Sequence, residues 1–218
     1  MISLMMLSGI GCSSVRRDKQ IDESINNNLD EKIKGEAYLF DVKLNRDGKP
    51  TSFRLEIYQT DSITAFSGRG YLGKGALKGI LDNDSILVYF PVSNEFLYES
   101  TASLLDIKDC VNDLDNLNLI SLLKNPPDEK IVNSNIEIIS SFEATNEPQY
   151  TLYNPECSWQ IEINYEDINS EWLIKSFLIT DGFENTIKST RRTYKKNAKI
   201  PYKRFVIHIP EKAERIIP

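Results

Sequence analysis

The sequence predicts a mainly β fold: a single, strongly curved antiparallel sheet with one short helical insertion. Three observations support this prediction. Apolar and polar residues alternate over many short segments, which is the period of a half-buried strand. Turn residues separate these segments at intervals of about 8–12 residues, as they do in all-β sandwiches and barrels. The alternation gives way to helical spacing only once, after Ser100.

The first block of strands begins after Gly35. Two alternating segments are joined by Asp47-Gly48, a pair typical of a tight hairpin turn. Two further apolar segments, residues 62–67 and 86–90, lie on either side of a glycine-rich stretch. The residues predicted to line the apolar face of the first two strands are Tyr38, Phe40, Val42 and Leu44, followed by Phe53, Leu55 and Ile57.

The helical spacing falls between two blocks of strands, over about residues 100–125. One amphipathic helix or two short ones would fit it, and Pro126-Pro127 ends the segment. The apolar residues with this spacing are Leu104, Ile107, Val111, Leu114 and Leu117.

Strands resume after the insertion and continue towards the C-terminus. Trp159, Ile161 and Ile163 alternate with polar residues in the clearest of them. Asp181-Gly182 is predicted to form a hairpin turn. The predicted strands of this block are residues 136–142, 150–153, 159–165, 172–180, 183–194 and 205–209.

The overall composition excludes some classes of function. The chain has 218 residues, of which 40% are hydrophobic and 27% charged, as in an ordinary globular protein. Its net charge of -6 argues against binding to nucleic acid, which requires a basic surface. No apolar run reaches the roughly 18–20 residues that a membrane-spanning helix needs. Residues 35–218 are predicted to form one domain.

The glycine-rich stretch "SGRGYLGKGALKG" resembles two phosphate-binding motifs, G-x-G-x-x-G and G-x-x-x-x-G-K. A P-loop needs a Ser or Thr after the lysine and a helix after the loop. Here Gly75 follows Lys74, and the residues after Ser85 are typical of a strand. We therefore interpret the stretch as a connection between two strands, with glycines at a bulge, a bend or a close backbone approach.

No catalytic or metal site is evident. His208 is the single histidine, and no G-x-S-x-G nucleophile motif occurs. A catalytic triad or a histidine-based metal site needs partners that the sequence does not supply. The basic run at residues 191–204 is either a solvated hairpin or a site for anionic headgroups or a partner. We expect no enzymatic activity and no cofactor.

The N-terminus has the outline of a bacterial lipoprotein signal. An apolar run and small residues precede Cys12, the residue that such signals lipidate. Residues 1–12 are therefore predicted to be a signal segment, and the polar residues 13–34 a flexible tether. A buried N-terminal strand is the alternative. If Cys12 is lipidated, Cys110 and Cys157 remain, and they either form a disulfide or stay free thiols.

Two later segments carry a resemblance to a known family. They are "GYLGKGALKGILDNDSILVYFPVSNEFLYES" and "YKRFVIHIPEKAERI". With the cysteine and the tether, they resemble the LolA/LolB-like outer-membrane lipoprotein carrier and receptor superfamily, over residues from about Gly35 to the C-terminus. The resemblance implies an incompletely closed antiparallel β-barrel with an apolar concave face, covered by a lid of short helices.

The resemblance also implies roles for particular residues. Leu104, Ile107, Val111 and Leu114 would belong to the lid. The glycines leave Tyr71 and Leu72 at the tip of a turn flanked by cations, where either they contact the membrane surface or Leu72 folds back into the core. In the receptor branch an exposed leucine on a turn between early strands helps to deliver lipoproteins into the bilayer, and Leu72 is the matching position. The candidate lining of an acyl-chain cavity is Phe53, Leu55, Ile57, Ile80, Leu87, Tyr89, Trp159, Ile161 and Ile163.

The leading functional hypothesis is a membrane-anchored periplasmic lipoprotein without enzymatic activity. It would bind acyl chains of lipids or acylated proteins in an apolar cavity, for transfer to or insertion in the outer membrane. The residue after Cys12 is Ser13 rather than Asp, which favours an outer-membrane location facing the periplasm. The alternative is a structural or sensory lipoprotein with a filled core that binds a protein partner.

Overall fold

The computed structural model describes residues 31–70, 73–82, 85–100, 121–127, 137–142, 147–154, 159–181 and 185–217. Twelve strands and two short 3-10 turns, Ser121–Leu123 and Tyr202–Phe205, are the elements considered below. The strands are β1 Lys32–Arg46, β2 Lys49–Gln59, β3 Thr64–Arg69, β4 Gly75–Leu81, β5 Ser85–Phe90, β6 Glu95–Ser100, β7 Glu137–Phe142, β8 Pro148–Asn154, β9 Trp159–Ile168, β10 Glu171–Thr180, β11 Thr186–Pro201 and β12 Glu214–Arg215.

All twelve strands belong to one sheet, in the order β12-β6-β5-β4-β3-β2-β1-β11-β10-β9-β8-β7. Neighbouring strands are antiparallel, except that β12 runs parallel to β6. The sheet is curved but does not close, so β7 and β12 remain as its edges. The predicted fold class, an open and mainly β antiparallel barrel, is confirmed.

Two meanders meet at the pair β1–β11. The first runs from β1 through β6, and the second from β7 through β11, each strand pairing with the next. The β1–β11 ladder extends from Lys32 opposite Pro201 to Asn45 opposite Thr186, and two register shifts interrupt it. One of them lies where Asn197 adopts a positive φ of 53°. Such bulges increase strand twist, which is consistent with a curved sheet.

Some predicted boundaries differ from the structure. β1 begins at Lys32, within the segment predicted to be tether, and β6 was not predicted as a strand. The predicted strand at residues 205–209 is wrong, because Phe205 ends a 3-10 turn and residues 206–210 are irregular. Its apolar residues pack on the sheet rather than pairing with it. The predicted helical insertion lies outside the described residues, apart from its end at the turn Ser121–Leu123.

The sheet has an apolar cluster on each face. We call the inner face the one that carries Tyr38, Phe40 and Val42, and the outer face the opposite one. The inner face holds the larger core, to which β1, β8, β9 and β10 contribute and against which the turn Ser121–Leu123 packs. Its buried residues are Tyr38, Phe40, Val42, Leu122, Leu123, Leu152, Ile161, Ile163, Tyr165 and Ile174.

The C-terminal segment, residues 202–217, crosses the outer face. It starts beside β11, packs Phe205 against Ala65 of β3 and Ile200, and ends as β12 against β6. The side-chain amide of Asn94 donates a hydrogen bond to the carbonyl oxygen of Lys212 over 2.9 Å, which ties the segment to the β5–β6 hairpin. The outer face is therefore covered over part of β2–β6.

The glycine-rich stretch connects β3 to β4, and Gly75–Leu81 is a strand where a P-loop would begin a helix. The backbone N–H of Gly70 donates to the carbonyl of Lys74, and Gly73 adopts a positive φ of 73°. A register shift lies between Gly68 and Arg69. Gly79 stands directly opposite Phe66, whose ring lies where a side chain at Gly79 would be. The glycines thus serve a tight turn, a bulge and a close approach, as predicted.

We predict that Gly79→Ala destabilises the fold by about 1–3 kcal/mol, the usual cost of overpacking. A Cβ at Gly79 would lie 2.0 Å from the nearest atom of the Phe66 ring, so the ring has to move. Gly75→Ala is the matched control on the same strand, because its Cβ would meet no atom closer than 3.8 Å. Urea unfolding of both variants measures the difference. Equal effects would contradict the explanation, and Phe66→Leu combined with Gly79→Ala should recover stability.

Candidate functional site

The inner face brings together six of the nine residues predicted to line a cavity. Phe53, Leu55 and Ile57 of β2 pack against the inner core, as do Trp159, Ile161 and Ile163 of β9. In register, Leu55 lies opposite Phe40 and Ile163 lies opposite Phe177. These six side chains therefore share one apolar face, although β2 and β9 are four strands apart in the sheet.

The other three residues lie on the outer face, which corrects the prediction that all nine share one wall. Ile80 pairs with Ala65 and packs in the outer cluster. Leu87 stands opposite Ile80, and Tyr89 stands opposite Lys78. Alternation shows which residues of one strand share a face. It does not show whether that face is the inner or the outer one relative to a strand beyond a turn. The register shift at Gly68 and Arg69 and the length of the turn decide this, and neither can be counted from sequence.

The inner face differs between its two halves. Around β1 and β8–β11 it is packed, and Leu122 and Leu123 cover it. The Tyr165 hydroxyl holds this cover in place, since it lies 2.9 Å from the carbonyl oxygen of Leu122 and 3.2 Å from that of Asn125. Burial raises the pKa of Tyr165 well above its ordinary value, so the hydroxyl keeps the proton that it donates.

Over β3–β6 the inner face continues as an apolar row outside the packed core. Phe66, Gly79, Val88 and Leu97 follow one another in register from Ile57. None of these four residues belongs to either buried cluster. Phe66 and Leu97 are half-buried, whereas Val88 is buried. This row extends the inner apolar surface from the core towards the edge strand.

Buried polar atoms are also concentrated on the inner face. Four such side-chain atoms have no hydrogen-bond partner within the described part of the chain: Gln59 Oε1, Trp159 Nε1, Ser189 Oγ and Arg191 Nη1. The register places Gln59 beside Glu36, Ser189 opposite Val42 and Arg191 opposite Phe40. Folded proteins contain a few such groups per hundred residues, so these four atoms do not by themselves distinguish the inner face from a filled core.

A buried arginine was missed by the sequence analysis. The side chain of Arg191 in β11 is only 3% exposed and reaches across β10 to form an ion pair with Glu166 of β9. The sequence showed Arg191 only as the start of a basic run. Its neighbour Arg192 is exposed and pairs with Asp41. A bulge in β11 opposite Phe40 shifts the register here, so alternation along the basic run does not show which residues of β11 face inward.

One carboxylate joins the sheet to the covering turn. Glu36 Oε2 accepts a hydrogen bond of 2.8 Å from the Tyr38 hydroxyl, and Oε1 accepts one of 3.1 Å from Tyr194. Lys124, next to the turn Ser121–Leu123, lies 2.5 Å from Oε1. Burial, and secondarily the charge of Glu36, raise the pKa values of Tyr38 and Tyr194 above the ordinary tyrosine value.

Several predicted site residues lie outside the described residues. These are the lipidation candidate Cys12, the membrane-contact tip Tyr71 and Leu72, and the lid residues Leu104, Ile107, Val111 and Leu114. Cys110 and Cys157 also lie outside them. His208 is exposed in the irregular segment that follows the turn Tyr202–Phe205. Most of the basic run lies in the long strand β11 rather than in a hairpin.

The described residues contain neither a metal-binding cluster nor a helix able to span a membrane. No group of three or more His, Cys, Asp or Glu side chains there is arranged to hold a metal ion. Within the same residues, no helix has the length and hydropathy needed to cross a membrane.

No family model matches this sequence, and no curated protein matches it. Similar solved structures exist. An uncharacterized conserved protein from Thermus thermophilus is 7% identical, with 91% of this chain and 97% of that chain covered and a TM-score of 0.44. A LolA superfamily protein from Nitrosomonas europaea is 10% identical, with 85% and 97% covered and a TM-score of 0.41. An outer membrane lipoprotein-sorting protein domain from Vibrio parahaemolyticus is 7% identical, with 81% and 90% covered and a TM-score of 0.36. One of these similar structures thus belongs to the superfamily that the sequence resembles.

We predict that Glu166→Ala destabilises the fold by about 1–3 kcal/mol, because it leaves the Arg191 guanidinium without its partner. The loss is smaller than for a fully buried ion pair, since the Glu166 side chain is 32% exposed. Glu171→Ala is the control, since its ion pair with Lys196 is exposed to solvent, which screens the interaction, so the loss should be much smaller. Chemical unfolding measures both losses. Adding Arg191→Met to Glu166→Ala should recover much of the stability, and no recovery would contradict the assignment.

We also predict that stability falls as the pH rises above about 10, the pKa of tyrosine in an unfolded chain. Tyr38, Tyr165 and Tyr194 have raised pKa values in the fold, so they keep protons that the unfolded chain loses. The free energy of unfolding should then decrease by up to about 1.4 kcal/mol per pH unit for each of Tyr38 and Tyr165, and by less for Tyr194, which is less buried. Urea unfolding at several pH values, with tyrosinate absorbance of the native state, measures this slope. The slope should be shallower in Tyr38→Phe, and a flat profile would refute the prediction.

Proposed function

We propose that this protein is a non-enzymatic lipoprotein of the bacterial cell envelope that binds the acyl chains of lipids or acylated proteins on the inner face of its sheet. One observation carries the proposal. The inner apolar surface continues past the packed core along Phe66, Val88 and Leu97, within a curved sheet that does not close. An acyl chain laid along this row would contact apolar side chains continuously.

The physical basis of such binding is the removal of hydrocarbon from water. Each buried CH₂ contributes about 0.8 kcal/mol, so a few methylenes along the row are enough for measurable affinity. Gln59, Trp159 and Ser189 add buried polar atoms that have no partner in the described structure and face the same side. Trp159 Nε1 and Ser189 Oγ are candidates to donate hydrogen bonds to the carbonyl or ester oxygens of an acylated ligand, whereas Gln59 Oε1 could only accept one.

The proposal includes the membrane attachment expected from the sequence. Cys12 would be lipidated, and the polar residues up to β1 would tether the sheet to the outer membrane, facing the periplasm. Tyr71 and Leu72, on the connection between β3 and β4, would touch the bilayer. Leu104, Ile107, Val111 and Leu114 would form a lid over the inner face, and opening of this lid would release the acyl chain for transfer or insertion.

The test measures acyl-chain binding by the full-length chain carrying Cys12→Ser, which removes the anchor. Native mass spectrometry should detect bound lipid, and a fluorescent fatty acid should bind and be displaced by unlabelled fatty acid. Leu97→Gln should weaken binding of the fluorescent probe about tenfold, since it costs the ligand roughly two methylene contacts.

Leu87→Gln is the matched control. Leu87 and Leu97 are both half-buried leucines on neighbouring strands, but Leu87 lies on the outer face. Its substitution should leave probe binding within about twofold of wild type. A lipid-free protein that takes up no probe would contradict acyl binding. It would favour instead a structural or sensory module with a filled core and a protein partner.

A further inference from the structure

A second candidate site lies on the outer face, where β2–β4 meet the C-terminal segment. It is a cavity of about 150 Å³. Four of its lining residues are cationic: Arg69, Lys78, Lys203 and Arg204. No Asp or Glu is among the lining residues. Two come from the strands that flank the glycine-rich turn and two from the turn Tyr202–Phe205, so residues far apart in sequence converge here.

One carboxylate borders this cluster. Glu56 Oε2 accepts a hydrogen bond of 3.2 Å from Arg204 and lies 3.6 Å from the Arg69 guanidinium. Lys78 and Lys203 are exposed and form no ion pair with any described residue. The site therefore carries a net charge of +3, in a chain whose net charge is -6. Cations concentrated in a concave surface raise the local concentration of anions.

The arginines are held in place before any ligand arrives. The Arg204 guanidinium lies 5.1 Å from the centre of the Tyr58 ring, in a cation–π contact, while Glu56 binds one of its nitrogens. The Tyr58 hydroxyl lies 3.3 Å from the same carboxylate oxygen. A guanidinium has five N–H donors, so Arg204 keeps donors for a ligand. Its planar fork matches two oxygens of a phosphate.

We propose that this cavity binds a phosphate group, most strongly the dianion of a phosphate monoester. Arg69 and Arg204 would donate hydrogen bonds to its oxygens, and Lys78 and Lys203 would neutralise its charge. The volume of about 150 Å³ is large enough to admit a phosphate group. Phe66 and Gly79 of the apolar row also line the cavity, but its four cations lie on the outer face, so the proposal does not depend on acyl binding.

The sources of such a group are an anionic lipid headgroup at the membrane surface and a soluble phosphate monoester. The full-length chain carrying Cys12→Ser is titrated with inorganic phosphate and with glycerol phosphate by calorimetry at physiological salt. The same protein is floated with phosphatidylcholine vesicles that either contain or lack phosphatidic acid. Salt at this level screens exposed charges, so weak non-specific attraction is suppressed.

Lys78→Gln combined with Lys203→Gln is the test variant, since both side chains are exposed and their loss should not disturb the fold. Lys43→Gln combined with Lys188→Gln is the matched control. It removes the same charge from two exposed lysines that pair across β1 and β11. We expect the test variant to weaken phosphate binding at least tenfold, and the control to change it by less than twofold.

Each outcome decides the proposal. Loss of phosphate binding in the test variant but not in the control supports the site. Vesicle flotation that requires phosphatidic acid then assigns the site to a lipid headgroup. Binding of soluble phosphates alone assigns it to a soluble ligand. No binding of any phosphate by the unmutated site overturns the proposal, and so does an equal loss in the control. Leu97→Gln should leave phosphate binding unchanged, which separates this site from the acyl-binding face.

Discussion

The pairing of β1 with β11 is the interaction on which the rest of the structure depends. It joins the meander β1–β6 to the meander β7–β11 and makes one sheet of them. The paired residues are separated by well over a hundred positions in sequence, so this ladder forms at a large cost in chain entropy. The inner core offsets that cost, because Tyr38 and Phe40 of β1 pack in tilted ring contacts against Tyr194 of β11 and Phe177 of β10, respectively. The inner face, the buried Arg191 and the crossing C-terminal segment all take their positions from this pair of strands.

The sheet presents two different surfaces because its faces meet different partners. The inner face carries the apolar core and its continuation along β3–β6, whereas the outer face carries a smaller apolar cluster beneath residues 202–217. The basic residues divide in the same way. The Arg191 side chain is buried and pairs with the partly exposed Glu166, but Lys203 and Arg204 line the outer cavity. A single basic run in the sequence thus contributes to two unrelated environments.

The glycine-rich stretch resembles a phosphate-binding motif, but its glycines are not what the proposed phosphate site uses. As a P-loop it lacks both the following helix and the hydroxyl residue, and the structure shows a turn between two strands. The strands that flank the turn nevertheless place Arg69 and Lys78 beside a cavity. Loop amides have no part in the proposed phosphate site, which consists of side-chain cations from β3, β4 and the C-terminal segment.

The sequence by itself determined the fold class, most strands and the turn chemistry, because alternation and turn residues are local signals. It correctly placed Phe53, Leu55 and Ile57 on one face, and it correctly rejected the phosphate motifs. Only the tertiary structure decided that Ile80, Leu87 and Tyr89 face outward, that Arg191 is buried, and that residues 205–209 cross the sheet instead of joining it. Each of these facts depends on strand register across turns and bulges or on contacts between distant segments. A one-residue shift reverses the face of every side chain in a strand, and no local pattern in this sequence records such a shift.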